Sequence, residues 1–143
     1  MQQIMIIIAL LFSSVLLAQT NEVNTKEEGT SITVSVINAL SDQGTISFAL
    51  FSKEGFRKKP IMSESSNIEK GIGTVQFHNV PKGDYAVICF HDENENKKMD
   101  FYENGMPKES YGTSNNVFLM GPPQFDDSKF VVGDKEVKLE IKF

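Results

Sequence analysis

The chain holds one cysteine and no tryptophan in 143 residues. A lone thiol excludes an intramolecular disulfide framework. Cys89 lies inside the apolar run "YAVICF", the setting of a buried, inert thiol rather than of a nucleophile. The two histidines, His78 and His91, are too few for zinc, which needs three or four convergent ligands. Positive charge is also short: 14 Lys and Arg stand against 19 Asp and Glu, a net charge of -5. That balance argues against nucleic-acid binding, which needs a basic face, and suits a mild affinity for cations. The short basic run "FRKKP" at residues 56–60 reads as a solvated loop. No glycine-rich phosphate loop, Ser-His-Asp arrangement or metalloenzyme motif is present.

What remains is the composition of an ordinary globular chain, 40% hydrophobic and 23% charged, with 11 Phe to fill a core. The length suits one domain. The first 20 residues, "MQQIMIIIALLFSSVLLAQT", carry an uncharged apolar run from Ile4 to Leu17 that ends in Ala18-Gln19-Thr20. The run is shorter than the ~20 residues that span a bilayer. It reads as a secretory signal peptide, residues 1–18, although its start lacks Lys or Arg. Residues 19–29, "QTNEVNTKEEG", are polar and unpatterned, as in a flexible leader.

From residue 30 the apolar period is two. Ile32, Val34 and Val36 alternate with Ser31, Thr33 and Ser35, and after the turn "SDQG" come Ile46, Phe48 and Leu50. The pair reads as a β-hairpin with one buried face. Val75 and Phe77 mark another strand, followed by the turn "PKG". "DYAVICFH" is apolar at nearly every position, as in a central strand covered on both sides. "SKFVVGD" reads as a short strand and turn, "SNNVFLM" as a further strand, and Val137, Leu139, Ile141 and Phe143 alternate cleanly. Residues 53–71 read mainly as a loop with one helical turn. Strands that short and that numerous suit a β-sandwich.

The polar stretch from residue 91 to residue 116 is the exception. A loop this long inside a compact domain is usually functional or disordered. "HDENENKKMD" places Asp92, Asn94, Asn96 and Asp100 at positions 1, 3, 5 and 9 of a calcium loop, with Lys98 to supply a carbonyl at 7 and Glu103 a carboxylate at 12. Calcium is a hard ion that takes six to eight oxygens, and a curling loop presents alternate side chains inward. Two features depart from an EF-hand: a strand precedes the loop, and position 6 is Lys97 where glycine is expected, which forces φ > 0 on a residue with a Cβ. An Asx-rich turn needs no ion to form. Downstream, Tyr111, Ser114, Asn115 and Asn116 offer a polar surface for a ligand, or side chains that hydrogen-bond the loop's own backbone.

These motifs carry a resemblance. "GDYAVICFHDENENKKMDFYENGMPKESYGTSNN" followed by "GPPQFDDSKFVV" resembles the DUF2141 family of small exported bacterial proteins. The matching positions include Gly83, Tyr85, His91, Asp92, Asn94, Asn96, Asp100, Gly105, Pro107, Glu109, Tyr111, Gly112, Ser114, Asn115, Asn116 and Gly121 to Pro123. The family's glycine after the third ligand is Lys97 here, and Glu103 lies outside its pattern. The run "VPKGDYAV" is also similar to prealbumin-like and carboxypeptidase-regulatory β-sandwich modules. The resemblance implies a fold and brings no established activity.

The expectation is an all-β, antiparallel Ig-like or prealbumin-like β-sandwich of about seven strands over residues 30–143, with a long loop after its central strand. It would be an exported, non-enzymatic module, secreted or periplasmic, with a cell-envelope or extracellular partner. It would have no nucleic-acid partner and no membrane span once the signal is removed. Its loop would hold Ca through Asp92, Asn94, Asn96, Lys98, Asp100 and Glu103. The alternative is a small-ligand or glycan-binding protein using Tyr111, Ser114, Asn115 and Asn116. A hydrolase using His91 with Asp92 or Glu109 is the third reading, disfavoured because neighbouring strand residues face opposite ways.

Overall fold

A computed structural model describes residues 29–118 and 120–143. The expected signal peptide, residues 1–18, and all but the last residue of the expected leader, residues 19–29, lie outside the described residues. Eight strands follow in order: β1 (Thr30–Val36), β2 (Thr45–Phe51), β3 (Met62–Asn67), β4 (Gly73–Val80), β5 (Gly83–Asp92), β6 (Tyr111–Thr113), β7 (Phe130–Val132) and β8 (Val137–Ile141). A 3-10 turn (Ser114–Asn116) and a four-residue helix, α1 (Phe125–Ser128), connect β6 to β7.

The strands form two sheets, one ordered β4-β1-β8 and the other β3-β2-β5-β6, with β7 also on β5. Pairing is antiparallel except between β1 and β8, which run parallel. The expected alternation sets the core. Ile32, Val34 and Val36 of β1 and Phe77 of β4 meet Ile46, Phe48 and Leu50 of β2 and Val87 and Cys89 of β5, all essentially sealed from solvent. Each such large side chain contributes about 1.5–3 kcal/mol relative to an exposed one. Burial pushes the Cys89 thiol pKa up, which removes its thiolate at neutral pH and fits its inert character.

Three sequence expectations are corrected. β1 and β2 are not a hairpin: β1 pairs with β4 and β8 in one sheet, while β2 pairs with β3 and β5 in the other. Both strands bury one face, and alternation is blind to which neighbour supplies the hydrogen bonds. The reading of residues 53–71 as mainly loop missed β3, which occupies Met62–Asn67. That strand, "MSESSN", lies at the sheet edge with no fully buried residue, so no alternation marks it. The described residues of "SNNVFLM" form no strand: Ser114–Asn116 form the 3-10 turn, and Asn115 and Asn116 have φ of 72° and 52°.

The edge of β5 away from β2 is shared. β7 covers Gly83–Tyr85 and β6 covers Ile88–Phe90. The gap between them leaves the Val87 N–H without a strand partner on that side, and the buried Ser114 hydroxyl accepts it at 3.0 Å. The same hydroxyl bonds the Ser128 carbonyl and so ties α1 to the sheet. Gly112 in β6 lets β8 pass close by. A Cβ there would lie 2.6 Å from Ile141 Cγ2 and 2.8 Å from the Lys142 carbonyl oxygen.

Candidate functional site: the loop after the central strand

β5 ends at Asp92, which is 1% exposed. Its carboxylate turns the chain: Oδ1 accepts the Asn96 N–H at 3.1 Å and Oδ2 accepts the Lys97 N–H at 2.8 Å. Two neutral amides continue the pattern. Asn94 Oδ1 accepts the Asn96 N–H at 3.1 Å, and Asn96 Oδ1 accepts the Lys98 N–H at 2.8 Å. Both amide nitrogens then donate to one atom, Asp100 Oδ2, at 2.7 Å from Asn94 and 2.9 Å from Asn96. The alternate residues singled out by spacing are therefore brought together on the inside of one curl. The curl demands left-handed backbone at Glu95 (φ 56°) and at Lys97 (φ 62°). Lys97 adopts the positive φ expected at position 6, held by its bond to Asp92.

Beyond Asp100 the chain makes a small hairpin. The Lys108 N–H donates to the Asp100 carbonyl, Phe101 bridges Pro107, and the Tyr102 N–H donates to the Met106 carbonyl. Glu103 sits in the exposed turn at its tip, where the Gly105 N–H reaches the Tyr102 carbonyl. Glu109 sits at its base, and Glu109 Oε2 accepts the Asp100 N–H at 3.1 Å. The carboxylate folded back to the curl is thus Glu109, nine residues beyond the Asp100 N–H that it accepts, and not Glu103. Sequence spacing missed it because the return depends on the hairpin.

As a metal centre the donor set is mixed. The candidate oxygens are the carboxylates of Asp92, Asp100 and Glu109 and the side-chain amides of Asn94 and Asn96, with the Lys98 carbonyl expected from the spacing alone. Among the described residues, no three His, Cys, Asp or Glu side chains form a ready metal group. An all-oxygen set rich in amides suits a hard ion such as calcium and not zinc. Each amide and carboxylate oxygen now holding one N–H keeps a second lone pair for an ion. The residues fit the ion if Asp100 Oδ2 exchanges its two amide hydrogens for it.

The downstream polar residues are differently employed. Asn115 Nδ2 donates to the carbonyls of Asp127 (3.1 Å) and Lys129 (2.8 Å). Asn116 donates to the Glu140 carbonyl at 2.9 Å and accepts the Lys142 N–H at 2.8 Å, acting as a strand neighbour along β8. With Ser114 buried against β5, three of the four residues hydrogen-bond backbone. Tyr111 alone faces a cleft. His91 is also occupied: it is 1% exposed, stacks on Phe143 with ring centroids 6.5 Å apart, and its Nε2 lies 2.7 Å from the Gln43 carbonyl. A carbonyl only accepts, so Nε2 carries the proton. Nδ1 lies 3.6 Å from Glu93 Oε1.

A cleft opens beside Tyr111. It has a volume of about 580 Å³ and is walled by Ile88 of β5, by Met99, Phe101 and Met106 of the hairpin, and by the Gly121–Pro123 segment. Arg57 closes one side. A second hollow continues across β2 and β3 and shares Arg57, Ile88 and Met99 with the first.

With the fold and the loop in view, the chain can be placed. Residues 34–140 match the family described as "Uncharacterized protein conserved in bacteria (DUF2141)", and the chain belongs to that family. No curated protein matches it. Among solved structures it is similar to a point mutant of the pilus-presented adhesin Spy0125 (Cpa), at 10% identity and a TM-score of 0.28. That likeness covers 83% of this chain and 28% of the adhesin's. The β-sandwich described above stands on the strands of this chain. Among the described residues no helix is long and apolar enough to cross a membrane.

Proposed function

We propose that this chain is an exported, non-enzymatic β-sandwich module, at the cell envelope or outside it, whose loop after β5 takes up calcium. The observation that carries the reading is the convergence of the Asn94 and Asn96 amides on one oxygen of Asp100, beside the buried Asp92 carboxylate. Side chains at loop positions 3, 5 and 9 meet there through the amide Nδ2–H groups, so an ion would replace those hydrogens on Asp100 and draw the amide oxygens toward it. Asp92, Asn94, Asn96, Asp100 and the Lys98 carbonyl would hold the ion, with Glu109 rather than Glu103 as the further carboxylate. The bound ion supplies folding energy: it fixes a loop whose left-handed residues are otherwise held by hydrogen bonds alone.

The test is thermal. A site with a Kd of about 10⁻⁴–10⁻³ M gains about 1–2 kcal/mol from about 5 mM free calcium. For a domain of this size that is a rise in Tm of about 4–8 °C. Chelator should reverse it, Asp100→Asn and Asp92→Ala should abolish it, and magnesium should give less. Glu109→Gln should weaken the response and Glu103→Gln should leave it intact. An unchanged Tm across the calcium titration would overturn the reading.

A further inference from the structure

The cleft beside Tyr111 has the dimensions of a small-molecule site, since such sites run to about 300–1,000 Å³ and are mostly apolar with a few placed polar groups. Its lining is apolar apart from the Tyr111 phenol and the Arg57 guanidinium, and it includes no carboxylate. The two charged groups nearest in the adjoining hollow, Glu64 and Lys97, offset one another. A protein of net charge -5 has here a greasy hollow marked by one positive group.

Arg57 is placed there at a cost. Its φ is 60°, a conformation that is unfavourable for a residue with a Cβ. The chain on either side fixes it. Phe56 makes edge-on contacts with Phe51 and Phe125, at centroid distances of 5.7 and 5.5 Å. The Lys58 and Lys59 N–H groups both reach the Gly55 carbonyl, at 2.9 and 2.8 Å. Among the described residues the Arg57 guanidinium has no ion pair or hydrogen bond, whereas Lys53, Lys82, Lys129 and Lys138 each meet an acid. The mouth of the cleft is greasy too: Phe101 and Met106 are more than half exposed.

We infer that this cleft binds a small anionic amphiphile, an apolar body carrying one carboxylate, sulfonate or phosphate. The body lies on Ile88, Met99, Phe101 and Met106. The anion meets Arg57, whose planar fork pairs with such groups through two parallel hydrogen bonds. The flexible methionines accommodate bodies of differing shape. This site shares no residue with the proposed calcium donors.

Two dyes test the proposal with the purified protein: 1-anilinonaphthalene-8-sulfonate and its uncharged counterpart N-phenyl-1-naphthylamine, which has the same rings. Both should bind saturably at one site and compete with each other. Arg57→Gln should weaken the sulfonate by about tenfold, the worth of a charge-assisted hydrogen bond, and leave the neutral dye unchanged. Met106→Asp should weaken both. Circular dichroism and Tm of each variant should match the parent, which separates lost binding from lost fold. Equal sulfonate affinity in Arg57→Gln and parent would overturn the anion assignment. Dye binding that survives Met106→Asp but is lost on Phe118→Ser, an exposed residue outside the cleft lining, would assign the surface to a membrane or protein contact and overturn the cleft.

Discussion

Lys97→Gly isolates the one residue of the loop that departs from the expected pattern. Lys97 has φ 62° and donates its N–H to Asp92 Oδ2 at 2.8 Å. Holding an L-residue in this region costs about 1–2 kcal/mol, and glycine removes that cost. Glycine adds back about 0.5–1 kcal/mol through the greater freedom of its unfolded chain. The difference favours the variant by about 0.5–1 kcal/mol, a rise in Tm of about 2–4 °C without calcium. Charge is the competing explanation, because Lys97 adds a cation beside a cation site. Its side chain, however, lines the hollow over β2 and β3 with Ser63, Glu64 and Ser65. It is exposed there, so its effect on the curl is heavily screened. Lys97→Gln removes the charge and keeps the Cβ, and should leave both Tm and calcium affinity within error. Calorimetric melting and calcium titration at fixed ionic strength read the two variants side by side. A fall in Tm for Lys97→Gly, or the same gain from Lys97→Gln, would refute the backbone argument.

Two further perturbations follow from the described contacts. Asp42 accepts the N–H groups of Gly71 at 2.7 Å and Lys70 at 2.9 Å, and these bonds, that of Gly71 first, hold its pKa below the ordinary 3.8. A carboxylate depressed in the folded state stabilises above its unfolded pKa and loses that contribution as pH falls through the folded one. Asp42→Asn should therefore flatten the acid limb of the Tm-versus-pH curve below about pH 4, and an unaltered limb would count against the assignment. Gly112→Ala should destabilise by about 1–3 kcal/mol, since the added methyl meets the Lys142 carbonyl oxygen as well as Ile141. Urea unfolding measures it, and a neutral result would mean that β8 shifts freely.

What the sequence makes legible follows from what is local. The buried faces of β1, β2 and β4 are written in alternation, because burial on one side of a pleat imposes a period of two on that strand alone, while β5 shows instead as a nearly continuous apolar run. Partner choice is not local, and this is why β1 and β2 looked like a hairpin and fell into different sheets. β3 needed only its backbone to join β2, so serines and glutamate serve as well as valines and leave no mark. The curl after β5 was readable because its polar side chains recur within nine residues, and Asp92, Asn94 and Asn96 each accept a backbone N–H two to five residues on. Glu109 was not, since it returns to Asp100 only across the hairpin. The "FRKKP" run looked like solvated charge, and only the packing of Phe56 on Phe51 and Phe125 brings Arg57 to the cleft. One signal for the cleft was present: Met99, Phe101 and Met106 are apolar residues inside an otherwise polar stretch.

The two proposed sites meet in one piece of chain. The base of the hairpin carries Asp100 and Glu109, while its arms carry Phe101 and Met106 into the cleft wall. Ordering the base by an ion narrows the positions open to the wall, and a ligand packed on the wall narrows those open to the base. Coupling of this kind is reciprocal: whatever factor calcium adds to dye affinity, the dye must add to calcium affinity. The size of that factor reports how rigid the hairpin is between Asp100 and Met106. A factor near one would mean that the bonds from Lys108 to Asp100 and from Tyr102 to Met106 already hold the hairpin in its binding shape. A larger factor would mean that the loop is completed by its ligands. Either value leaves each site standing on its own test, because the donors of the curl and the lining of the cleft share no residue.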